Sequence, residues 1–408
     1  MGKVNAMKYK KSEFNYVHEK EDYVLIYNTL YNSLIRLDLN EYEQYLDEKE
    51  ISEILLENGF FVEKELNEKA KYLACSQVFT LHIPRPLSIT VTTTLRCNAR
   101  CDYCYEKGVK QEDIFWNAEE QIVKFIKRHM IQSEVQIIWF GGEPLMNTKF
   151  MDALSSRLNK EGINFQSYII TNGSLLKKDI IEKKFSFWNV KNIQITLDGA
   201  KDKYEIRKNY INPSEGEFYN ILNNIRGAAQ KKIFINIRLN IDRGNKDSIL
   251  ELLKEIDSIY ANCENVVFYP AFITGSQYPM EENEKVEYIK QMLLTVKNIK
   301  KLTVGTKLYS LPRMHACMNG DPRSFSIDIY GNVFTCEHYV GKEEKKIGNI
   351  ALAEYGKDNR GCEIIFREEC NNCVFLPKCY GGCMSNYLEG DDPCMIEKYL
   401  IKAYLDIL

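Results

Sequence analysis

The chain has no long apolar run and no excess of charge of one sign, and both absences narrow what it can do. No stretch of roughly eighteen or more apolar residues occurs, so we expect no transmembrane span. The first residues carry lysines but no apolar segment, so we expect no secretory signal and a cytoplasmic protein. The 54 Lys and Arg against 57 Asp and Glu give a net charge of −3, which argues against a nucleic-acid-binding protein because phosphate contacts require a basic surface.

Cysteine, by contrast, is abundant. The 408 residues include 13 cysteines, an odd number in a long chain that we expect to be cytoplasmic. A disulfide scaffold is therefore not expected, since small secreted domains need such bonds and this chain does not. Cysteines at short spacings in a reducing compartment indicate metal or cluster ligands instead. Cys75 and Cys263 stand alone, and we expect both to be ordinary buried thiols.

Hydrophobic patterning divides the chain into three predicted regions. Residues 1–79 contain two β-prone runs, Tyr23–Tyr27 and Ser33–Leu37, followed by helical spacing, which is the outline of a winged-helix-like module. Residues 70–86 are expected to connect this module to the second region, 87–302. The third region, 303–408, holds eight of the 13 cysteines among many Gly, Asn and Asp residues, so we expect a loop-rich structure ordered by metal centres.

The second region alternates predicted strands with predicted helices. The strands are expected at Leu87–Thr93, Val135–Phe140, Ser167–Thr171, Asn192–Leu197, Phe234–Ile241 and Val266–Tyr269. The helices are expected at Ala118–Met130, Phe150–Leu158, Leu175–Lys183, Glu217–Gln230, Ser248–Ile259 and Lys285–Val296. Strict alternation implies parallel strands with right-handed crossovers. The sequence therefore predicts an α/β protein with a partial (β/α)6 barrel like that of the TIM fold.

The strongest motif follows the first predicted strand. Cys97, Cys101 and Cys104 form a C-x3-C-x2-C run. Three thiolates can hold three irons of a [4Fe–4S] cluster and leave the fourth iron open. A structural zinc site would close with four ligands, and the sequence offers no fourth candidate nearby.

This motif resembles that of the radical S-adenosylmethionine (SAM) enzymes. The resemblance implies that the open iron binds the amino and carboxylate groups of SAM. Reductive cleavage of SAM then gives a 5′-deoxyadenosyl radical, which takes a hydrogen atom from the substrate. Tyr103, just before the last cysteine, matches the family's aromatic residue near the adenine. A flavodoxin- or ferredoxin-like protein is the implied electron donor.

Other strand ends carry residues that match the family's SAM-binding segments. After the second strand, Gly141, Gly142, Glu143 and Pro144 resemble the GGEP motif, whose carbonyls accept hydrogen bonds from the SAM ammonium with the glutamate in support. The further candidates are Asn172, Asp198, Arg207, Arg238 and Asn240, with Arg207 expected to pair with the SAM carboxylate. All follow the carboxyl ends of strands, where barrel active sites lie.

The cysteines of the third region resemble a SPASM domain, which commonly binds two auxiliary iron–sulfur clusters. The resemblance assigns the outer cluster to Cys370, Cys373, Cys379 and Cys394, and the inner cluster to Cys317, Cys336 and Cys383. With the cluster at the first motif, this implies three [4Fe–4S] clusters. Cys362 is the candidate fourth ligand of the inner cluster; otherwise one iron stays open for a substrate thiolate, the alternative that we favour. A pair of structural zinc sites uses similar spacings.

Residues 1–79 resemble the peptide-recognition element fused to enzymes that mature ribosomally made peptides. In that element a leader peptide adds a strand to the edge of a sheet. The sequence thus predicts a maturase that forms a cysteine thioether in a precursor peptide, as in sactipeptide and ranthipeptide synthesis. A carbon–carbon cross-linking enzyme, an anaerobic sulfatase-type protein maturase and a non-catalytic zinc-binding adaptor are the alternatives. The general base stays open among Asp198, Asp321 and Glu337.

Overall fold

The computed structural model describes all residues except 1–2, 6–7, 48–49, 105–107, 109, 132–133, 306–310, 316, 353, 356–359 and 361–366. The chain forms two compact units. The terminal unit consists of Met1–Ile83, Lys307–Cys317 and Gly361–Leu408, and the barrel unit consists of Pro84–Thr306 and Met318–Arg360. The residues after 303 are therefore shared between the two units.

Strands and helices follow one another along the chain in three parts. The first part contains β1 (Lys3–Asn5), β2 (Tyr9–Lys11), β3 (Asn15–Glu19), β4 (Tyr23–Asn28), β5 (Ser33–Asp38), α1 (Leu39–Asp47), β6 (Glu50–Ser52), α2 (Glu53–Glu57), β7 (Phe61–Glu63) and α3 (Glu68–His82). The middle part contains β8 (Leu87–Thr94), α4 (Ala118–His129), β9 (Glu134–Gly141), α5 (Thr148–Lys160), β10 (Asn164–Thr171), α6 (Lys178–Lys183), β11 (Val190–Leu197), α7 (Lys201–Lys208), α8 (Glu217–Gln230), β12 (Phe234–Ile241), α9 (Lys246–Ile259), β13 (Val266–Phe272), α10 (Glu282–Thr295) and α11 (Ile299–Gly305). The last part contains β14 (Ser324–Ile327), β15 (Asn332–Phe334), β16 (Gly348–Asn349), β17 (Glu354–Tyr355), α12 (Leu376–Cys379), α13 (Met384–Leu388) and α14 (Ile396–Ile407).

The barrel unit is built on one mixed sheet. Its strand order is β13-β12-β11-β10-β9-β8-β14-β15-β16-β17, and the neighbours from β13 to β8 all pair in parallel. Helices connect these strands, as parallel crossovers require. The predicted α/β fold with a six-stranded partial barrel is confirmed. The sequence did not predict β14, which pairs in parallel with β8, or the antiparallel strands β15 to β17 beyond it.

Alternation along the strands separates two faces of this sheet. One set of side chains packs against the helices, and the set between them faces the concave interior of the barrel. The helix-facing set is rich in β-branched residues, and its fully buried members include Ile89, Val91, Ile137, Ile169, Ile193, Ile195, Ile235 and Ile237. The interior-facing residues of β10, β11 and β12 are half-buried and mostly polar. The strands therefore form a packed layer on one side and a polar concavity on the other.

The terminal unit contains the predicted hairpin, β4–β5, as part of a three-stranded sheet. Strands β3, β4 and β5 form an antiparallel sheet in which β4 is central. Its core includes Val24, Ile26, Leu37, Tyr45, Ile51, Leu55, Phe60 and Phe61. The segment predicted to be a connection is mostly helix α3, whose Tyr72 packs with Phe14 against residues of the C-terminal segment, namely Cys370, Leu376 and Tyr380. The sequence did not predict this helix. Cys75 on it is exposed, so the expectation of a buried thiol at this position was wrong.

Across the described residues, no helix combines the length and the apolar character that crossing a bilayer requires.

Candidate functional site

The three cysteines of the C-x3-C-x2-C motif lie on the loop that follows β8. The Cys97 thiol is half-buried, and burial, with smaller contributions from Glu143, Cys101 and Cys104, raises its pKa to about 12. A thiol with such a pKa ionises readily only when a cation compensates the thiolate charge, which fits an iron ligand. In the described part of the chain, no three Cys, His, Asp or Glu side chains are gathered as a ready-made metal site. The ligand roles of these thiols therefore stay a prediction.

Two glycines at the end of β9 hold the start of this loop. The main-chain N–H of Gly142 donates to the Thr94 carbonyl at 3.0 Å, and that of Glu143 donates to the Arg96 carbonyl at 2.9 Å. A Cβ atom on Gly141 would lie 2.1 Å from the Thr94 oxygen, and one on Gly142 would lie 2.5 Å from the Arg96 oxygen. Only glycine permits this approach. The expected bonds from the carbonyls of this segment to SAM remain a prediction.

Glu143 joins the ends of β9 and β10. Its buried carboxylate accepts hydrogen bonds from Leu145 N at 3.1 Å, Thr171 Oγ1 at 2.8 Å and Asn172 N at 2.9 Å. Burial raises the pKa of Glu143, and the three hydrogen bonds oppose that rise. The neighbouring Pro144 opens a short 3₁₀ turn that continues into α5. The observed role of Glu143 is to fix the strand ends that surround the cysteine loop.

Asn172 connects β10 to the same loop. Its Nδ2 donates to Asn98 Oδ1 at 2.8 Å, and its Oδ1 accepts from the main chain and hydroxyl of Ser174 at 2.9 and 2.7 Å. Asn98 Nδ2 in turn donates to Ser174 Oγ at 2.7 Å. Asn98 lies between the first two cysteines of the motif. The structure therefore brings Asn172 next to the cysteine loop, and its expected contact with SAM stays a prediction.

Asp198, at the end of β11, is fully buried beside Tyr103. The Tyr103 hydroxyl donates to Asp198 Oδ2 at 2.7 Å, and the Lys208 ammonium lies 3.0 Å from the same oxygen. Asp198 Oδ1 is buried and has no hydrogen-bond partner among the described residues. An orphaned carboxylate oxygen in this position fits a bound group that supplies hydrogen-bond donors. Sequence reasoning missed Lys208, although it directly follows the candidate Arg207.

The side chain of Arg207 pairs with a carboxylate of the protein, whereas the sequence suggested the carboxylate of SAM. Its guanidinium forms a buried two-bond contact with Asp242, at 3.2 and 3.0 Å. Asp102 of the cysteine loop lies 3.7 Å away, and the ring of Tyr103 lies 5.3 Å from the guanidinium carbon. The Nε atom of Arg207 is buried without a described partner. The expected pairing of Arg207 with the SAM carboxylate stays a prediction.

Polar side chains from four strands meet inside the barrel. The hydroxyls of Tyr168 and Tyr269 donate to Gln194 Oε1 at 3.2 and 2.6 Å. Arg238 Nε donates to Asn240 Oδ1 at 2.9 Å. Burial raises the pKa of both tyrosines, and Arg238 opposes that rise. Arg238 and Asn240 thus border the interior, and their expected role in SAM binding stays a prediction. The tyrosines and Gln194 were missed because half-buried residues at alternate positions give no motif.

The three candidate bases have different surroundings. Asp321 is buried in a two-bond ion pair with Arg85, at 2.6 and 3.0 Å, which suits a structural role. Asp198 is paired with Lys208. Burial raises the pKa of Glu337, and His338 and Arg238 lower it. Glu337 is close enough to Arg238 to feel its charge, and its role as a general base stays a prediction.

The C-terminal cysteines of the terminal unit fall into two neighbourhoods. Burial raises the pKa of Cys379 to about 12, with further contributions from Cys373 and Cys370. Burial also raises the pKa of Cys370, on which Cys373 and Cys394 act as well. These four are the cysteines expected to bind the outer cluster. Their ligand roles stay a prediction.

The cysteines expected at the inner cluster are distributed over the two units. Cys317 contributes to the raised pKa of Cys383, whose main cause is burial, and both lie in the terminal unit. Cys336 lies in the barrel unit, where it is buried with Phe334 and Tyr339. Cys362, the candidate fourth ligand, lies outside the described residues.

Comparison with known families and sequences identifies the barrel. Residues 91–268 match the family model described as the Radical SAM superfamily. GTP 3′,8-cyclase of Helicobacter pylori (strain ATCC 700392 / 26695) is 25% identical over 232 residues, which are 55% of this chain and 68% of that protein. GTP 3′,8-cyclase of Staphylococcus aureus (strain JH9) is 30% identical over 179 residues, 42% of this chain and 51% of that protein. The alignment with the Staphylococcus protein thus spans only about half of its length.

Solved structures share the fold over more of the chain. Native anSMEcpe with bound AdoMet has a TM-score of 0.60 and 17% identity, and the match covers 79% of this chain and 96% of that one. Streptococcus suis SuiB bound to precursor peptide SuiA has a TM-score of 0.53 and 16% identity, over 94% of this chain and 98% of that one. At such identities the likeness establishes the fold. The family match shows that residues 91–268 form a radical SAM domain, the kind of domain that radical SAM enzymes contain.

Proposed function

We propose that this enzyme matures a ribosomally made peptide, which it holds by a leader segment while the barrel modifies the core. The observation that carries the proposal is the three-stranded sheet β3-β4-β5 with its adjoining helices. The structural match to SuiB covers 94% of this chain, so residues 1–79 cannot all lie outside it. The solved SuiB structure contains a precursor peptide. Extended peptides bind proteins of this kind by adding a strand to a sheet edge.

Of the two edges of this sheet, β5 is the better docking site for a leader. The β3 side is covered by the C-terminal segment: His18 pairs with Asp406 at 3.2 Å, and the ring of Tyr16 lies 4.9 Å from that of Phe375. Strand β5 ends the sheet among the described strands, and its Leu34 is 42% exposed. An edge strand leaves main-chain groups ready to pair with another chain.

The reaction that we propose takes place in the polar interior of the barrel. Cys97, Cys101 and Cys104 would hold a [4Fe–4S] cluster, which with SAM would supply a radical able to remove a hydrogen atom from carbon. The residues of the chain hold the cofactor and the substrate around that event. Glu143 and Asn172 fix the cysteine loop, and Gln194 and Arg238 present polar groups toward the substrate.

The bond that we favour is a thioether between a cysteine sulfur and a carbon of the peptide. Its formation breaks one C–H and one S–H bond and makes one C–S bond, so the peptide loses two hydrogen atoms. One leaves as a hydrogen atom to the SAM-derived radical; the other leaves as a proton and an electron. Uptake of that electron is chemistry that auxiliary iron–sulfur clusters supply when bound. Glu337 is the candidate acceptor of the proton.

Anaerobic co-expression tests this proposal. Each short peptide encoded beside the gene is expressed with the enzyme and analysed by mass spectrometry and thiol alkylation. We expect one peptide to lose two hydrogen atoms and one alkylatable cysteine for each bond. Loss of two hydrogens with every thiol retained would indicate a carbon–carbon bond instead. An unchanged set of peptides, with an enzyme that cleaves SAM, would contradict peptide maturation.

Leader binding is tested separately at β5. We expect Leu34→Glu to weaken binding of the modified peptide about tenfold or more, since an edge charge disfavours strand addition. The matched control is Leu294→Glu, which changes a 67% exposed leucine on α10. Equal affinity of both variants for the peptide would favour the second candidate, a maturase of folded proteins that needs no leader.

A further inference from the structure

The last turn of α7 accepts hydrogen bonds from the main chain of the cysteine loop. The main-chain N–H of Arg100 donates to the carbonyl of Lys208 at 2.9 Å, and that of Asp102 donates to the carbonyl of Arg207 at 3.4 Å. The last carbonyls of a helix have no partner within the helix, so they are available to accept such bonds. The helix ends at Lys208, and the next residue, Asn209, has a left-handed conformation with φ of 46°. Residues between the cysteines are therefore fastened to a helix by their main chain.

The buried side chain of Lys208 adds a second contact between α7 and the cysteine loop. Lys208 is 3% exposed, and its ammonium lies 3.0 Å from Asp198 Oδ2 and 3.0 Å from the Tyr103 hydroxyl. That hydroxyl also donates to Asp198 Oδ2 at 2.7 Å. The three side chains therefore form a closed triangle of charged and polar groups. Buried charges persist where their partners satisfy them, and removal of one partner is costly.

The triangle leaves one carboxylate oxygen free. Asp198 Oδ2 receives both donors, whereas Oδ1 is buried and has no partner among the described residues. With one oxygen fixed by Lys208 and Tyr103, the carboxylate cannot rotate without loss of both contacts. The orphaned oxygen is therefore held in a fixed direction.

We propose that Lys208 is a positioning residue of the SAM site. It connects the cysteine loop to the Asp198 carboxylate through Tyr103 and through its own carbonyl. The cluster and SAM would then be held in a fixed position relative to each other. This role rests on the radical SAM domain and does not depend on which substrate the enzyme modifies. Lys208 acts in this role through Tyr103 and Asp198.

Replacement of Lys208 by methionine tests the role, with SAM as the probe. The variant and the wild type are reconstituted without oxygen, and iron content, SAM affinity and the electron paramagnetic resonance (EPR) spectrum of the reduced cluster are measured. We expect iron content near that of the wild type, SAM affinity reduced about tenfold or more, and a diminished effect of SAM on the spectrum. The control Lys201→Met, at an exposed position in the first turn of the same helix, should match the wild type.

Two milder variants keep the test decisive if Lys208→Met fails to fold. Tyr103→Phe removes one hydroxyl and leaves the ion pair, and the double variant Lys208→Met with Asp198→Asn removes both charges together. Both should bind iron, bind SAM more weakly than the wild type and show a smaller spectral response to SAM. Wild-type SAM affinity and spectral response in these variants would overturn the proposal. Loss of iron in step with the loss of SAM affinity would also overturn it, because the role would then be merely structural.

Discussion

The Glu143 carboxylate accepts the main-chain N–H of Asn172 at 2.9 Å, and this bond joins the ends of two neighbouring barrel strands. Because Glu143 is buried and also binds Leu145 and Thr171, its removal leaves three donors without partners. Unsatisfied buried groups are expensive.

We therefore expect Glu143→Ala to lower the free energy of unfolding by about 3–5 kcal/mol and to slow SAM cleavage at least about tenfold. Thermal unfolding and the rate of 5′-deoxyadenosine formation measure the two effects. Glu251→Gln, at an exposed position on α9, is the control and should change neither. A stable Glu143→Ala enzyme with normal cleavage would show that the strand ends do not need this link.

Gly142 permits a close contact that no other residue allows. A Cβ atom there would lie 2.5 Å from the Arg96 oxygen, so Gly142→Ala should displace the cysteine loop. We expect reduced iron content after reconstitution and loss of SAM cleavage. Gly227→Ala is the matched control, because a Cβ atom at that helical position meets only a side-chain atom of Ile181 at 3.4 Å. Equal iron content in the two variants would be incompatible with this role of the glycine.

Each cysteine of the C-x3-C-x2-C motif is expected to be essential. Cys97→Ala, Cys101→Ala and Cys104→Ala should each abolish 5′-deoxyadenosine formation, because three thiolates hold the cluster. Cys75→Ala, which removes an exposed thiol on α3, should retain full activity. Chromatography of the reaction products gives the answer, and SAM cleavage in any of the three motif variants would refute the ligand assignment.

The N-terminal module and the C-terminal cysteine segment are expected to depend on each other. Phe14 is 2% exposed and packs with Cys370, Leu376 and Tyr380, and Lys69 Nζ donates to the Asn371 carbonyl at 2.7 Å. Phe14→Ala should cost about 3–5 kcal/mol of stability and reduce the iron bound per chain by roughly one cluster. Phe61→Ala, equally buried but packed within the N-terminal module, should destabilise the protein and leave its iron content unchanged.

Much of the barrel could be predicted because strands and helices alternate along the chain and each strand carries a buried apolar face. The predicted bounds of β12 and α8 agree with the structure. Helix α7 was missed because its sequence, KDKYEIRK, is highly charged and lacks an extended apolar face. Strand β14 was missed because it has only four residues and its partner β8 is distant in sequence.

Some residues of the candidate site could likewise be predicted from the sequence and others could not. The cysteines, Gly141 to Pro144, Asn172 and Asp198 could be found from sequence because each belongs to a short motif at a strand end. Lys208, Tyr168, Gln194 and Tyr269 could not, because their roles arise only when several strands curve around one interior. The partner of Arg207 was also beyond prediction, since helix α8 and strand β12 separate it from Asp242 along the chain.

An iron atom that the protein leaves open to SAM is the central requirement of the proposed chemistry. Electron–nuclear double resonance on the reduced holoenzyme tests this point, with SAM that carries heavy nitrogen in its amino group. We expect a hyperfine coupling from that nitrogen, present in the wild type and absent in Cys97→Ala. A reduced wild-type cluster that shows no such coupling at saturating SAM would contradict the proposed open iron.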